Sequence, residues 1–236
     1  MKIDVKEQRQ HFDDKNRQYK WVEGIEPSFA QSLEYIIILE NLPKKKNLTV
    51  VDFGCGSGRL SLFLLSKGIN VDSVDISKES LNTLTKMYKK YSSKSWGKLT
   101  THVAIPNHKY DVIVGTDILH HTILDEDFEL FKKHLNKGGR IVFSEPNALH
   151  VTWYLYYILH KIPLSIEKGI LQIRYFNLKS KLKKHNYKDI ELIKHGLIST
   201  PVLNKFPSLM SFNLNILTRI PILNLFCFRF IIRASV

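Results

Sequence analysis

The residues best suited to chemistry form a glycine-rich turn, Gly54-Cys55-Gly56-Ser57-Gly58, after an apolar run that ends in Asp52 and Phe53. Glycine lets the backbone turn sharply and approach a ligand without interference from a Cβ atom. A helix that begins after such a turn presents free N–H groups and its positive dipole end to an anion. Asp75 follows at the predicted end of the next strand, where a carboxylate can bind both hydroxyls of a ribose. The turn therefore predicts a site for a ligand that carries a ribose.

The spacing within this turn narrows the class of ligand. The residue three after Gly56 is Arg59, so the pattern is GxGxG and not the GxGxxG typical of dinucleotide sites. The sequence has no GxxxxGK[ST] motif, which excludes a P-loop. Cys55 and Cys227 lie far apart and form no Cys/His spacing typical of metal sites, so we predict no metal.

A second group of chemically competent residues follows the β-rich run at residues 110–116. His120 and His121 could remove the proton of an acceptor hydroxyl, or one of them could simply anchor the turn. Glu145 and Asn147 end another β-rich run and could orient an acceptor or hold the loop in place. Both interpretations of each pair remain open at the level of sequence.

Alternating strand and helix patterns position these residues. The predicted strands are Leu48–Phe53, Ile69–Asp75, Leu99–Ala104, Tyr110–Thr116, Arg140–Glu145, Asp189–Gly196 and Leu225–Ile232. Predicted helices include Pro27–Glu40, which we expect at the sheet edge, one capped by Ser77, one capped by Asp125, and one over Leu178–His185. Strands that alternate with helices imply a parallel sheet covered on both faces.

The predicted fold class is α/β, a Rossmann-like doubly wound sheet of about seven strands. Most strands are expected to be parallel and the last antiparallel, with a C-terminal helical cap insertion. The length of 236 residues fits a single domain. Within it we predict N-terminal helices over residues 1–47, a cofactor-binding core over 48–147, and cap segments with the final strands over 148–236.

These motifs resemble the class I S-adenosylmethionine-dependent methyltransferase family. VVDFGCGSG is similar to the family's first motif, a strand with an acidic residue followed by GxGxG. YDVIVGTDILHH resembles the fourth-strand region, LNKGGRIVFSEPN the fifth strand, and FNLKSKLKKHNYKDIELIKHG the late helix and sixth strand. The order of these motifs along the chain is more specific than any one of them.

The resemblance implies S-adenosylmethionine as cofactor, with its methionine part against the turn from Gly54 through Cys55 and Gly56 to Gly58. It implies that Asp52 lies near the ammonium group, Asp75 holds the ribose and Ile76 packs on adenine. Thr116 and Asp117 would line the methionyl side. The family often has an acidic residue after the third strand, where this chain has Thr101 and His102.

Composition bears on the partners. The net charge of +13 would suit a polyanion, but the lysines are scattered, which favours a solvated basic surface. The aromatic run at 151–159 predicts either a cap over the site or packing against Phe206–Leu225, of which packing is favoured. The C-terminal NLNILTRIPILNLFCFRFIIR is compatible with peripheral membrane contact, although a late helix and a strand explain it better.

We therefore predict a cytoplasmic methyltransferase, with peripheral membrane contact left open. Its predicted acceptor is a small-molecule or lipid-linked metabolite, methylated at oxygen. Two alternatives remain. An RNA methyltransferase would suit the charge, but no dedicated nucleic-acid motif is evident. A non-catalytic S-adenosylmethionine-binding protein would keep the same glycines and carboxylates.

Overall fold

A computed structural model describes residues 27–236. The helices are α1 (Phe29–Glu40), α2 (Arg59–Ser66), α3 (Lys78–Tyr91), α4 (Leu124–His134), α5 (Val151–Leu159), α6 (Leu164–Glu167), α7 (Tyr175–Lys184), α8 (Thr200–Lys205) and α9 (Leu209–Asn215). The strands are β1 (Val50–Phe53), β2 (Val71–Val74), β3 (Leu99–His102), β4 (Tyr110–Thr116), β5 (Leu135–Pro146), β6 (Lys188–His195) and β7 (Arg229–Ser235). Short 3₁₀ turns cover Leu119–His121, Lys168–Gln172, Leu217–Arg219 and Leu223–Phe226.

The seven strands form one sheet in the order β3-β2-β1-β4-β5-β7-β6. Strands β1 to β5 pair in parallel, and β7 inserts antiparallel between β5 and β6. The order reverses between β1 and β4, so a crevice opens there at the carboxyl ends of the strands, which is where ligands bind in such sheets. The predicted fold class, including the antiparallel last strand, is confirmed.

Helices cover both faces because successive strand residues point to opposite sides. In β4, Val112 and Val114 pack with α1, α2 and α3, whereas Ile113 packs with α4 and α7. In β7, Ile231 joins the first cluster, and its neighbours Phe230 and Ile232 join the second. The parallel strands are therefore apolar on both faces, as buried parallel strands usually are.

Three local predictions are wrong. Helix α1 packs over the interior strand β5, in the cluster of Ile38 and Val142, and not on the sheet edge, because its apolar face needs the larger apolar surface. Asp125 is not the cap of α4, which begins after Ile123; Asp125 accepts hydrogen bonds from lysines of α7 instead. The last strand begins at Arg229, because residues 223–226 form a 3₁₀ turn.

Other boundaries hold more closely. Ser77 caps α3 by accepting a hydrogen bond from the Ser80 N–H at 3.1 Å, as predicted. The predicted N-terminal helices include α1, but the part of that prediction over residues 1–26 lies outside the described residues. Between residues 27 and 236, no helix is long and apolar enough to cross a bilayer.

Candidate functional site

The glycine turn lies at the carboxyl end of β1, where the sheet order reverses. Gly54, Gly56 and Gly58 all have positive φ, at 68°, 52° and 90°, a region that side chains with a Cβ rarely adopt. A Cβ at Gly54 would also lie 2.2 Å from the Ile118 side chain. A Cβ at Gly56 would meet nothing within 4 Å. The turn therefore packs tightly against the protein at Gly54 and leaves space for a ligand at Gly56.

Asp75 lies beside this opening, just past the end of β2. Its Oδ2 accepts a hydrogen bond from the Gly56 N–H at 2.8 Å, and its Oδ1 accepts one from the Ser77 N–H at 2.8 Å. A carboxylate offers about four acceptor positions, so its oxygens can accept more than one hydrogen bond each. The next residue, Ile76, is an exposed apolar side chain on the same edge of the sheet. This arrangement suits a nucleoside, with a polar ribose contact and an apolar surface for the base.

Asp52 is buried beneath the turn. Its Oδ2 accepts a hydrogen bond from the Ser61 hydroxyl at 2.6 Å, and that hydroxyl also lies 2.7 Å from the Ser73 hydroxyl. Burial raises the pKa of Asp52 to about 7. Its Oδ1 has no hydrogen-bond partner among the described residues. Because an unpaired buried carboxylate is unfavourable, a cationic ligand group near Oδ1 would compensate it.

On the β4 side of the crevice, Thr116 ends the strand and Asp117 follows with φ at 56°. Asp117 Oδ1 accepts a 2.6 Å hydrogen bond from buried Arg229 on β7, which also donates to the hydroxyl and the carbonyl of Ser144. Buried Glu34 of α1 lies 3.4 Å from Arg229. Burial raises the pKa of Glu34. Burial acts in the same direction on Asp117, but Arg229, His120 and Arg59 together outweigh it and lower the pKa of Asp117.

Sequence reasoning missed Arg229 and Glu34 as site residues. A signal was present, because Arg229 is a lone cation inside an apolar β-rich run, and a buried cation requires a buried anion. The run does not say which anion, since Glu34 lies 195 positions away in the chain. The pair ties α1 and β7 to Asp117 at the crevice.

His120 is held between two carboxylates. Its Nδ1 lies 2.7 Å from Glu145 Oε2, and its Nε2 lies 3.4 Å from Glu167 Oε2. Burial lowers the pKa of His120, but Glu145 and Glu167 outweigh it and raise the value to about 10. The other oxygen of Glu145 accepts hydrogen bonds from the backbone N–H groups of Ile118 and Leu119, each at 2.8 Å. His120 is therefore protonated at neutral pH and fixed in orientation.

His121 stacks next to His120, with ring centroids 4.0 Å apart. One ligand atom from each of His120, His121 and Glu167 lies within 4.8 Å of the others, a set that could coordinate a metal ion. When the His120 ring is protonated, its two N–H groups can donate to Glu145 and Glu167 separately, so these two carboxylates are compensated without a metal. A Cβ at Gly169 would lie 1.6 Å from the His120 carbonyl oxygen, so glycine there allows the segment with Glu167 to reach the histidines.

Glu145 and Asn147 both make hydrogen bonds that hold the loop, while a role in orienting an acceptor stays a prediction. Glu145 is bonded as described above. The Asn147 amide donates to the carbonyl oxygens of Leu225 and Cys227 at 2.8 Å each, and its Oδ1 accepts from the Leu149 N–H at 3.0 Å. These bonds fix the start of the cap to the segment before β7.

Helix α5 packs partly elsewhere than predicted. Trp153 stacks on Phe228, with centroids 4.4 Å apart, and lies under Arg229. Tyr157 packs with Ala148 and Ile170. The contacts of Trp153 thus fall just beyond the predicted partner segment, on Phe228 directly before β7.

The inner face of α5 borders the crevice. Trp153 on this face lies 5.5 Å from Arg229, which in turn donates to Asp117 at the crevice. Burial raises the pKa of Tyr156, and the charges of Glu167 and Asp117 raise it further. The predicted packing against residues 206–225 is thus replaced in part by packing against Phe228, and the cap over the site stays a prediction. The predicted site residues lie on two sides of that crevice. The β1–β2 side contains Asp52, Gly54, Cys55, Gly56, Gly58, Asp75 and Ile76, and the β4 side contains Thr116, Asp117, His120 and His121.

Comparison with known proteins identifies the family of this chain. Residues 15–195 match a family described as a methyltransferase domain. An uncharacterized methyltransferase of Bacillus mycoides is 36% identical over 116 residues, which cover 47% of this chain and 53% of the relative. Ubiquinone biosynthesis O-methyltransferase of Rickettsia canadensis is 27% identical over 127 residues, or 52% of this chain and 54% of that protein. The chain thus matches about half the length of these curated relatives.

Solved structures share the fold over nearly the whole chain. Magnesium protoporphyrin IX methyltransferase of Synechocystis, solved with S-adenosylhomocysteine, has a TM-score of 0.61 at 18% identity and covers 98% of this chain and 99% of its own. Phosphoethanolamine N-methyltransferase 2 of Haemonchus contortus, solved with S-adenosylmethionine, has a TM-score of 0.64 at 17% identity and covers 97% and 59%. At these identities the likeness establishes the fold.

Proposed function

The chain belongs to the methyltransferase domain family and has the class I fold of S-adenosylmethionine-dependent methyltransferases, and we propose that it methylates the oxygen of a small-molecule or lipid-linked metabolite. One observation carries the cofactor assignment. Gly56 opens onto free space while its N–H is bonded to Asp75, at the point where the sheet order reverses. Backbone and carboxylate are thus presented together where a nucleoside would lie.

S-adenosylmethionine fits the described residues. Asp75 would accept the ribose hydroxyls, and Ile76 would pack on adenine. The Oδ1 of Asp52, which lacks a hydrogen bond among the described residues, would gain a compensating charge from the ammonium group. Thr116 and Asp117 would line the methionyl side of the crevice.

When bound, S-adenosylmethionine supplies a methyl group already activated by a positive sulfonium. The protein must then align an acceptor with the methyl–sulfur bond and exclude water. Tyr156 and Trp153 on the inner face of α5 serve that exclusion. We propose that His121 removes the proton from the acceptor hydroxyl. His120 cannot take it, because it is already protonated between Glu145 and Glu167. His120 is then a positioning residue that fixes the turn bearing His121.

The same oxygen chemistry is named for the Rickettsia relative, which is called an O-methyltransferase. Named acceptors among the structural neighbours include a porphyrin and phosphoethanolamine. This range supports a metabolite acceptor as a class. It leaves the individual acceptor to experiment.

The cofactor assignment is tested by calorimetric titration of S-adenosylmethionine and S-adenosylhomocysteine into wild type and Asp75→Asn. The variant loses a charged acceptor, which is worth about 1.5–3 kcal/mol, so we expect the affinity to fall by roughly tenfold to a hundredfold. Asp189→Asn, at the opposite edge of the sheet, is the matched control and should bind as wild type. Equal affinity of Asp75→Asn and wild type would contradict the assignment.

The acceptor is tested by transfer of labelled methyl groups into cell extract divided into small-molecule, lipid and RNA fractions. Label in the small-molecule or lipid fraction, followed by mass spectrometry showing an added methyl on oxygen, supports the proposal. Label confined to RNA would refute it. Cofactor binding without label in any fraction would indicate a binding protein.

A further inference from the structure

The described part of the chain exposes large apolar side chains mainly in one region. Nineteen such side chains are exposed, and fifteen of them lie between Leu149 and Phe226. This region comprises the cap segments on either side of α7 and β6. Water-soluble proteins usually expose apolar residues singly, so a concentration of this kind marks a surface with a partner.

Helix α5 shows the pattern most clearly. Val151, Leu155, Ile158 and Leu159 are exposed by 73%, 53%, 70% and 69%. Their spacing of i, i+4, i+7 and i+8 places them on one face of the helix, opposite buried Tyr157. A surface helix normally turns its polar face outward. This helix presents an apolar face to the protein and another to the surroundings.

A second apolar strip belongs to the connection from α8 to β7. Phe206, Phe212, Ile216 and Ile222 are exposed by 49%, 45%, 53% and 73%. The charged residues of this connection are Lys205 and Arg219, both exposed. Apolar residues interspersed with a few cations are typical of segments that lie in a membrane interface.

Hydrogen bonds tie the chain just before α5 to the segment after β6 and to the end of the second strip. His150, at the start of α5, lies 2.7 Å through its Nε2 from the Leu197 carbonyl oxygen, and Asn147 binds the Leu225 carbonyl oxygen. Both strips therefore follow the carboxyl ends of β5 and β6. The crevice opens at this same end of the strands. Of the segment 213–233, which the sequence suggested for membrane contact, residues 229–233 are instead mostly buried in β7.

The charge of this surface has a single sign. Residues 148–166 and 196–226 contain no Asp or Glu, and their Lys161, Lys205 and Arg219 are exposed. The one acid between α5 and α7 is Glu167, which is buried against His120. A second copy of the same surface would bring like charges together, whereas an anionic lipid layer offers both an apolar interior and the opposite charge.

We propose that this cap surface, defined by the outer face of α5 and the strip at residues 206–226, docks onto an anionic lipid membrane. The apolar side chains enter the interface, and the lysines and arginine contact lipid headgroups. The crevice then opens at the membrane surface, next to any acceptor that the bilayer carries. Docking of this kind does not depend on the methyl donor or on turnover.

The experiment is cosedimentation of the full chain with phosphatidylcholine vesicles and with vesicles that also contain phosphatidylglycerol. We expect strong binding to the mixed vesicles, weaker binding to the neutral ones, and partial release by salt, because salt screens only the electrostatic part. The double variant Leu155→Glu/Ile158→Glu should bind at least tenfold more weakly, since both exposed side chains leave the interface. Circular dichroism and thermal unfolding should match those of wild type.

Two matched controls locate the surface. Ile36→Glu changes an exposed apolar side chain of α1 and should leave vesicle binding intact. Lys161→Glu/Arg219→Glu should lose the preference for phosphatidylglycerol. Lys137→Glu, near the amino end of β5 and away from the cap surface, should keep it. Absence of wild-type binding to anionic vesicles overturns the proposal. So does a lipid-free dimer that the α5 variant converts to monomer, because the surface then belongs to a second copy.

Discussion

The two sides of the crevice are built in different ways. On the β1–β2 side, the turn and Asp75 lie within 22 consecutive residues and are joined by backbone N–H groups of the same segment. On the β4 side, Asp117 and His120 depend on charged partners far away in the chain, among them Arg229 and Glu145. The first side is a local structure, and the second is an assembly of buried charges.

This difference determines how each side fails. A local structure with backbone donors depends on a few glycines and one carboxylate, so a change there should alter ligand affinity. An assembly of buried charges also supports the fold, because removal of one partner leaves another charge buried without compensation. Changes on the β4 side should therefore alter the stability of the protein, its rate of turnover, or both.

The largest expected effect is on stability, from Arg229→Met. Methionine retains much of the apolar volume but leaves Glu34 and Asp117 without their cation. Breaking a buried ion pair from one side typically lowers the free energy of unfolding by about 3–5 kcal/mol. Denaturant unfolding followed by circular dichroism measures this loss.

Arg233→Met, on the same strand, is the matched control. Arg233 pairs with Glu191, and both side chains are at least a third exposed, so its loss should change the free energy of unfolding by less than about 1 kcal/mol. If the two variants are equally stable, buried charge does not distinguish the β4 side. The comparison between the two sides of the crevice would then fail.

The same difference explains what the sequence could predict. The turn, Asp52, Asp75 and the alternation of strands and helices along the chain follow from local patterns. Glycine spacing and hydrophobic periodicity are properties of consecutive residues. Ser77 was recognised as a cap for the same reason. Asp125 was misassigned because it carries an ordinary cap residue type, while its actual partner Lys181 lies 56 positions away.

Long-range pairs could not be found from one sequence. Nothing near Glu34 or Glu167 identifies Arg229 or His120 as partners, since each contact depends on how the helices dock on the sheet. Neither the face of α1 nor its place over β5 was predicted correctly. The apolar pattern predicts a face of Phe29, Leu33, Ile36 and Ile37, but Phe29 and Ile36 are exposed. The buried residues are Ala30, Glu34, Tyr35 and Ile38, because the helix turns Glu34 inward towards Arg229. The outward apolar face of α5 could not be predicted either. The run is apolar on every side of the helix, so its pattern does not show which side faces outward.

The next largest effect tests how the histidines divide their roles. His121→Ala should lower kcat by about a hundredfold or more at unchanged stability, because loss of a general base typically removes 10²–10⁴-fold in rate. His120→Ala should instead lower stability, since Glu145 and Glu167 lose the cation between them. Rates measured against pH, together with unfolding curves, separate the two variants.

His134→Ala serves as the control for loss of an imidazole outside the crevice, since its ring nitrogen contacts the Leu130 carbonyl of its own helix. It should retain the wild-type rate. A His121→Ala enzyme with wild-type kcat would show that the acceptor does not need this base. If His120→Ala loses kcat but keeps wild-type stability, His120 and not His121 is the general base.

The smallest effect belongs to the local side of the crevice and concerns pH. The raised pKa of Asp52, about 7 in the free protein, means that the carboxylate gains a proton as the pH falls below that value. An ammonium group beside it favours the charged form, so bound ligand should lower this pKa. Affinity for S-adenosylmethionine should therefore weaken below pH 7, by at most about tenfold per pH unit.

The ligand itself cannot produce this trend, because an α-amino group with a pKa near 7.7–8.0 only gains charge as the pH falls. Calorimetric titration from pH 8 downward measures the slope, and the Asp52→Asn variant provides the neutral reference. We expect that variant to bind weakly at every pH and without a slope. A slope that persists in Asp52→Asn would place the titrating group elsewhere, and the local side would then depend on a distant charge as the β4 side does.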